Sequence, residues 1–332
     1  MVRIATIGTN FITRWFMEAL QHCDDAVCAA VYSRKEETAR AFAAEYGVAT
    51  CYTDLEALAS APDIDAVYIA SPNSLHCQQA ILMMEHGKHV LCEKTIASNS
   101  AELAHMLETA KKNHVVCLEA MRSVFDPGFA AIEDNLPKLG KVRRVSFQYG
   151  KYSSRYDKFK AGIVENAFDP AFSNGALMDI GVYCVHPLVK LFGMPERIMA
   201  DALKLENGVD GAGTILASYG HMQAELLYSK ITDNRLPSQI QGEEATMLIE
   251  DIPHPCELTI CYRDGRKEVL AVEKEGASNM IYEIRIWVEL IEHGGDPEQY
   301  NAASVMELQV MDEVRRQTGI RFPADEEERW II

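Results

Sequence analysis

No stretch of about 18 apolar residues occurs in this chain, so no membrane-spanning helix is expected. Its nine cysteines are odd in number, scattered, and include no Cys-x-x-Cys pair, which argues against a disulfide or metal framework. Positive charge is in deficit. Lys and Arg total 32 against 49 Asp and Glu, a formal net charge of −17. That balance argues against nucleic acid or an anionic membrane as the main partner, though a local basic pocket could still take a small anion. No internal repeat and no low-complexity linker is found. The amino terminus enters strand-like sequence at once, without a secretory apolar region and cleavage site, so a cytoplasmic location is expected.

What is present reads as a globular protein of two ordinary domains: 332 residues, 48% apolar and 24% charged. Cys28, Cys92 and Cys117 fall in apolar runs, as buried thiols of a reducing compartment do. His254, Cys256 and Cys261 are the one candidate metal cluster. Cys261 alternates with Leu258, Ile260 and Tyr262 as a strand residue would, so no metal is expected.

The first half alternates strands and helices. Val2 to Ile7 reads as a buried strand, then Gly8-Thr9-Asn10-Phe11-Ile12-Thr13 leads into a helix with Ile12, Phe16, Ala19 and Leu20 on one face. This is the context of a G-x-G-x-x-G dinucleotide turn, of which only the first glycine is present. Asn10, in place of the second, tolerates positive φ and can also act as an N-cap. Thr13, in place of the third, would loosen helix–strand packing slightly. Arg14 lies at the helix end that disfavours a cation, where either a nearby phosphate or solvent accounts for it.

A second strand, Val27 to Tyr32, runs into Ser33-Arg34-Lys35, where a dinucleotide fold reads the adenosine ribose. With no acid before Glu36, this hydroxyl and two cations suit a 2′-phosphate, so NADP is expected over NAD. Further strands are read at Asp65 to Ala70, ending in Ser71-Pro72-Asn73, at Val90 to Cys92, ending in Glu93-Lys94, and at Val115 to Leu118, before Glu119. Helical patterns separate them. A doubly wound parallel sheet follows, and its ligands sit beyond the carboxyl ends of the strands.

Five segments in this order, Ile-Gly-Thr-Asn, Tyr-Ser-Arg-Lys, Ser-Pro-Asn-Ser-Leu-His76, Gly-Lys-His-Val-Leu-Cys-Glu93-Lys94 and Glu119-Ala-Met-Arg122, resemble the Gfo/Idh/MocA oxidoreductase family, and the likeness covers nearly the whole chain. The resemblance implies a Rossmann domain, 1–122, followed by an α+β domain, 123–332, built on a mainly antiparallel sheet. It implies cofactor contacts from Gly8 to Ile12, Ser33 to Lys35, Ser71, Pro72, Asn73, His76, Glu93, Lys94 and Arg122, with Lys94 against nicotinamide and substrate. Thr95 stands where the family has proline. A cis bond after Lys94 would then cost roughly 2.5–4 kcal/mol, so a trans bond is expected.

In the second half, Asp126-Pro127 reads as an N-cap and first-turn proline opening a helix to about Leu136. Val145, Phe147, Tyr149 and Met222, Ala224, Leu226, Tyr228 alternate with polar residues as half-buried strands. Gly220-His221 and Asp264-Gly265 supply hairpin turns. Helices are expected near Asn279 to His293 and Ala303 to Thr318, and Asp325 to Glu328 as a solvated tail. The family uses this sheet to oligomerise, which implies a homodimer.

A helix is expected from about Asn174 to Phe192, kinked at Pro187. Asp179, Tyr183, His186 and Lys190 share one of its faces, which on pattern alone is the wet side. The segment Gly175-x-x-x-Asp179-x-Gly181-x-Tyr183 resembles the family's Gly-Gly-x-x-x-Asp-x-Gly-x-His motif, with Asn174 for the first glycine. Tyrosine in the last place is similar to the branch of glucose–fructose oxidoreductase, dimeric dihydrodiol dehydrogenase and NADP-dependent xylose dehydrogenases.

The resemblance implies hydride transfer between NADP(H) and a carbinol carbon of a sugar, polyol or dihydrodiol-like small molecule. Tyr183 would be the acid–base, Lys94 would favour its phenolate, Glu93 would orient Lys94, and Asp179 would bind substrate or position Tyr183. Two alternatives stay open: a cofactor-binding sensor or scaffold without turnover, and an enzyme cleaving glycosides through transient oxidation. Tyr152, Arg155, Tyr156 and Asp157 are candidate sugar contacts, with a solvated loop as the plainer account.

Overall fold

The computed structural model describes residues 1–275 and 278–326. It comprises two compact units: Met1–Arg122 with Glu275–Ala302, and Ser123–Lys274 with the described residues from Ala303 onward.

The first unit is built on a six-stranded sheet of β1 (Val2–Ile7), β2 (Ala26–Tyr32), β3 (Thr50–Tyr52), β4 (Ala66–Ile69), β5 (His89–Glu93) and β6 (Cys117–Ala120), in the order β3-β2-β1-β4-β5-β6. Every pairing is parallel. Helices α1 (Phe11–Leu20), α2 (Glu36–Glu45), α3 (Leu55–Ala59), α4 (His76–Glu85) and α5 (Ser100–Lys112) connect the strands. The order reverses between β1 and β4, the switch point where ligands of such sheets bind. Strands β1, β4 and β5 are almost wholly buried, which is why they read as apolar runs rather than alternations. Strand β3 and helix α3 were not foreseen, being too short to carry a period.

The segment Glu275–Ala302, placed by sequence in the second domain, belongs to the first unit. Its helix Met280–His293 buries Met280, Ile281, Ile284 and the fully enclosed Trp287 in the same core as Val2, Ile4, Phe16 and Leu118. A chain that returns to an earlier core leaves no mark in local periodicity.

The second unit holds an eight-stranded sheet of β7 (Val142–Gly150), β8 (Arg197–Lys204), β9 (Asp210–Ser218), β10 (Gln223–Ser229), β11 (Ser238–Gly242), β12 (Ala245–Ile249), β13 (Leu258–Tyr262) and β14 (Lys267–Leu270). Its order is β14-β13-β12-β11-β7-β10-β9-β8. Only β7 and β10 pair in parallel; the rest are antiparallel. Val145, Phe147, Ala224, Leu226 and Tyr228 are buried on one face. On β8, β9 and β10 the residues Met199, Leu203, Leu216 and Leu227 are exposed.

The stretch Pro170–Phe192 is long and apolar enough on composition to cross a membrane, but most of it is buried within the second unit. Of the acidic run read as a solvated tail, Asp325 is instead paired with Arg315 at 2.6 Å, and residues 327 and 328 lie outside the described residues. His254 faces Asp251, Cys256 donates to Asp126, and Cys261 lies within β13, so each is engaged separately.

Candidate active site

The dinucleotide turn begins at Gly8. Its φ of +119° and the 2.8 Å that would separate an added Cβ from the Ala70 carbonyl oxygen both require glycine. Asn10 does not adopt positive φ; at −84° it is the N-cap of α1. Its Oδ1 accepts from the amides of Ile12 and Thr13 at 3.0 and 3.2 Å, and its Nδ2 donates to Ala70 O at 2.9 Å. One side chain therefore ties the end of β4 to the start of α1. The first turn of α1 carries no acid, which leaves this helix start suited to an anion. Phe11 is exposed beside it. Arg14 pairs with Glu45 and lies over Phe42, which accounts for a cation at this helix start.

At the tip of β2, Ser33 is half-buried and its amide donates to Tyr52 O. Arg34 and Lys35 are exposed and form no ion pair among the described residues. Two uncommitted cations here fit a phosphate on the adenosine ribose.

Beyond β4, Ser71 Oγ donates to Gln79 Oε1 at 2.7 Å. His76 is fully buried, its Nε2 2.8 Å from Ser71 O and its Nδ1 3.0 Å from Thr95 O. It is a strut between the loops after β4 and β5 rather than an open cofactor contact. Burial lowers its pKa, against the pull of both carbonyls. The Lys94–Thr95 bond is cis, not trans as expected. Local preference alone favours trans, but Thr95 is fully buried, with its carbonyl on His76 and the next amide, Ile96, on Glu119 Oε1 at 3.0 Å.

Glu93 closes β5 and Lys94 follows it, half-buried. The Glu93 carboxyl accepts from the Tyr68 phenol at 2.5 Å and from the Lys94 amide at 3.3 Å. Burial raises its pKa, opposed by Tyr68 and by the charges of Lys94 and Arg122. Arg122, also buried, donates to Asn279 Oδ1 at 3.1 Å and lies over Trp15. Behind this group stands Glu283, fully buried, with neither carboxyl oxygen hydrogen-bonded among the described residues. Burial and then the charge of Glu93 push its pKa well above the ordinary carboxyl value. Tyr68, Asn279 and Glu283 were missed from sequence. Only Tyr68, a phenol in an otherwise aliphatic strand, offered a signal.

In the second unit, Leu177–Gly181 is a π-helical turn, and the α-helix Val182–Phe192 runs on through Pro187. The irregularity thus precedes the proline by a turn. The cause is packing. A Cβ on Gly175 would lie 2.2 Å from Asp210 Oδ1, and one on Gly181 would meet the Tyr228 ring at 3.1 Å. The two glycines of the motif let this turn settle onto β9 and β10. Its polar face is not the wet side: Tyr183 is 6% and His186 2% exposed. His186 is held by Glu307 at 2.6 Å, and Tyr183 meets the Tyr149 ring edge-on at 5.5 Å. The Asp179 side chain is 32% exposed and paired with Lys230. The preceding segment, expected as a loop, contains the short helix Ser154–Lys160; there Tyr152, Asp157 and Lys160 bond one another, and Arg155 and Lys158 face Glu165.

A model described as the oxidoreductase family with an NAD-binding Rossmann fold matches residues 2–121, and a Gfo/Idh/MocA C-terminal domain model matches 137–248. The NADP(+)-dependent scyllo-inositol 2-dehydrogenase IolU of Bacillus subtilis is 46% identical over 98% of this chain and 100% of its own length. The chain belongs to the Gfo/Idh/MocA oxidoreductase family. Among family relatives, the trans-1,2-dihydrobenzene-1,2-diol dehydrogenase of Oryctolagus cuniculus is 29% identical over 98% of this chain and 99% of the relative. A 3-ketoreductase from Actinomadura kijaniata, solved with NADP and TDP-benzene, shares the fold at a TM-score of 0.85. It has 20% identity over 96% of this chain and 98% of the other. The parallel sheet and the mainly antiparallel sheet are thus those of the Gfo/Idh/MocA architecture, and the protein is a dehydrogenase-type oxidoreductase of that family.

Proposed function

We propose that this protein is an NADP(H)-dependent dehydrogenase moving a hydride to or from a carbinol carbon of a polyol, sugar or dihydrodiol-like compound, with cyclic polyols the first class to try. The observation that carries this reading is the carboxyl-end rim of the parallel sheet. There the capped turn after β1, the exposed Arg34 and Lys35 after β2, and Lys94 after β5 succeed one another. The Bacillus relative, named for NADP and scyllo-inositol, supports the same cofactor and substrate class.

NADP, when bound, supplies the hydride acceptor. The start of α1 holds phosphate, and Arg34 and Lys35 hold the ribose phosphate. Tyr183 takes the carbinol proton as general base and returns it as general acid. Lys94 meets the nicotinamide and the substrate at the end of β5. Glu93, fixed by Tyr68, orients the backbone at Lys94. Asp179 accepts a hydrogen bond from a neighbouring substrate hydroxyl. Two copies of the chain associate through the open face of the eight-stranded sheet, and a cytoplasmic setting suits the nine unpaired thiols.

The test is a panel of cyclitols, aldoses, polyols and dihydrodiols assayed with NADP and NAD in parallel, repeated on Tyr183→Phe and Lys94→Ala. Turnover with NADP on at least one compound is expected, falling about 10²–10⁴-fold in each variant. Parental rates in either variant refute its assignment. Tight cofactor binding without turnover points to a sensor, and cofactor that is not consumed while a glycoside is cleaved points to transient oxidation.

A further inference from the structure

Lys230 follows β10 directly and is 1% exposed. Its Nζ lies 2.9 Å from Asp179 Oδ2, donates to the Ala167 carbonyl at 2.6 Å, and sits 4.7 Å above the Phe168 ring. The pair is lopsided. The ammonium side chain is 2% exposed and the carboxylate 32%. A pair made only for the core would bury both partners. Here the cation is enclosed and the anion is presented outward.

The surroundings explain how the lysine is held. Ala167 and Phe168 lie in the 3-10 turn Asn166–Phe168 and pack with Val209 in a small core of their own. Asp210, whose charge also reaches Lys230, accepts the amides of Ala176 and Leu177 at 3.0 and 2.7 Å, capping the turn that carries Asp179. Lys230 therefore joins the 3-10 turn Asn166–Phe168 to the π-helical turn. A buried ion pair is weak evidence for stability, so a role in fixing the exposed carboxylate is the better account of it.

We propose that Lys230 is a positioning residue that holds the Asp179 carboxylate aimed at the substrate. This rests on the reading of Asp179 as a substrate contact. An ionised carboxylate can only accept hydrogen bonds. The substrate must then present a hydroxyl, not a carbonyl or ether oxygen, to Asp179.

The test is a double-mutant cycle of Lys230→Met and Asp179→Asn, with Lys230→Arg alongside. The assay uses saturating NADP and scyllo-inositol, or the fastest polyol of the panel. Expected are a 10–100-fold loss of kcat/KM for the polyol in Lys230→Met, an unchanged KM for NADP, and recovery to within several-fold in Lys230→Arg. Lys230→Met should add nothing in the Asp179→Asn background. Losses that multiply, or a Lys230→Met variant at parental kcat/KM, overturn the proposal. Should Lys230→Met not melt cooperatively, Lys230→Arg replaces it: a several-fold loss beside Asp179 and none beside Asn is expected, and equal losses overturn it. If Asp179→Asn alone keeps parental kcat/KM, the substrate reading of Asp179 falls first, and the role of Lys230 falls with it.

Discussion

The phenol of Tyr68 donates to the carboxyl of Glu93 across 2.5 Å, and both groups are buried. This bond holds the last residue of β5 immediately before Lys94. Tyr68→Phe leaves a buried oxygen of Glu93 without its donor. The expected loss is about 1–3 kcal/mol of stability, read from urea denaturation, together with reduced turnover because the Lys94 loop is less firmly held. An unchanged midpoint would show that water replaces the phenol at no cost.

How much of this was legible in sequence depends on the range of the interaction. Strand β1 and helix α1 were readable because their patterns are local and their neighbours nearby. Lys94 was visible as a charge ending an apolar run. The family resemblance points His76 at the cofactor, yet it braces two loops, since a histidine on a helix start does not reveal what packs over it. Glu283 and Lys230 belong to segments that reach the residues they act on only after the chain has returned, some 190 residues after Glu93 and 51 after Asp179. The cis bond after Lys94 belongs with them, set among contacts from α4 and β6 that no local preference registers.

Glu283 makes stability depend on pH. Its folded pKa is raised by burial and then by Glu93, so the group favours folding fully below its unfolded value. That contribution is lost as pH rises from about 4.5 toward the folded value. Glu283→Gln cannot ionise and escapes the loss. The stability difference, variant minus parent, should therefore grow with pH between 5 and 8. Its slope should be on the order of 1 kcal/mol per pH unit while the folded group stays neutral. Paired melts across that range decide it, and a flat difference would contradict the assignment.

Arg34 and Lys35 are exposed at the tip of β2, unlike Arg14 and Arg40, which are already paired with Glu45 and Glu36. Charge-assisted bonds to a phosphate are worth roughly 1.5–3 kcal/mol each. Arg34→Ala with Lys35→Ala should raise the KM for NADP by about 100-fold or more and leave that for NAD within a few-fold. Added salt should weaken NADP binding in the parent more than in the variant, because exposed ion pairs are screened. Equal effects on the two cofactors would place the 2′-phosphate elsewhere.

Met199 on β8 pairs with Leu216 on β9, and they are 55% and 49% exposed. Leu227 and Leu203 lie in the rows beyond, also exposed. A cluster of large apolar side chains on the strands of a sheet marks an interaction face, and a twofold interface uses the same patch from both copies. Met199→Asp with Leu216→Asp places charge at its centre without touching the buried face of either strand. Sedimentation should then change from dimer to monomer with the melting transition still cooperative. The cofactor should still bind, since the α1 turn and β2 tip lie in the other unit. A parent that sediments as a monomer at micromolar concentration removes the interface outright, and a variant that stays dimeric moves it to another face.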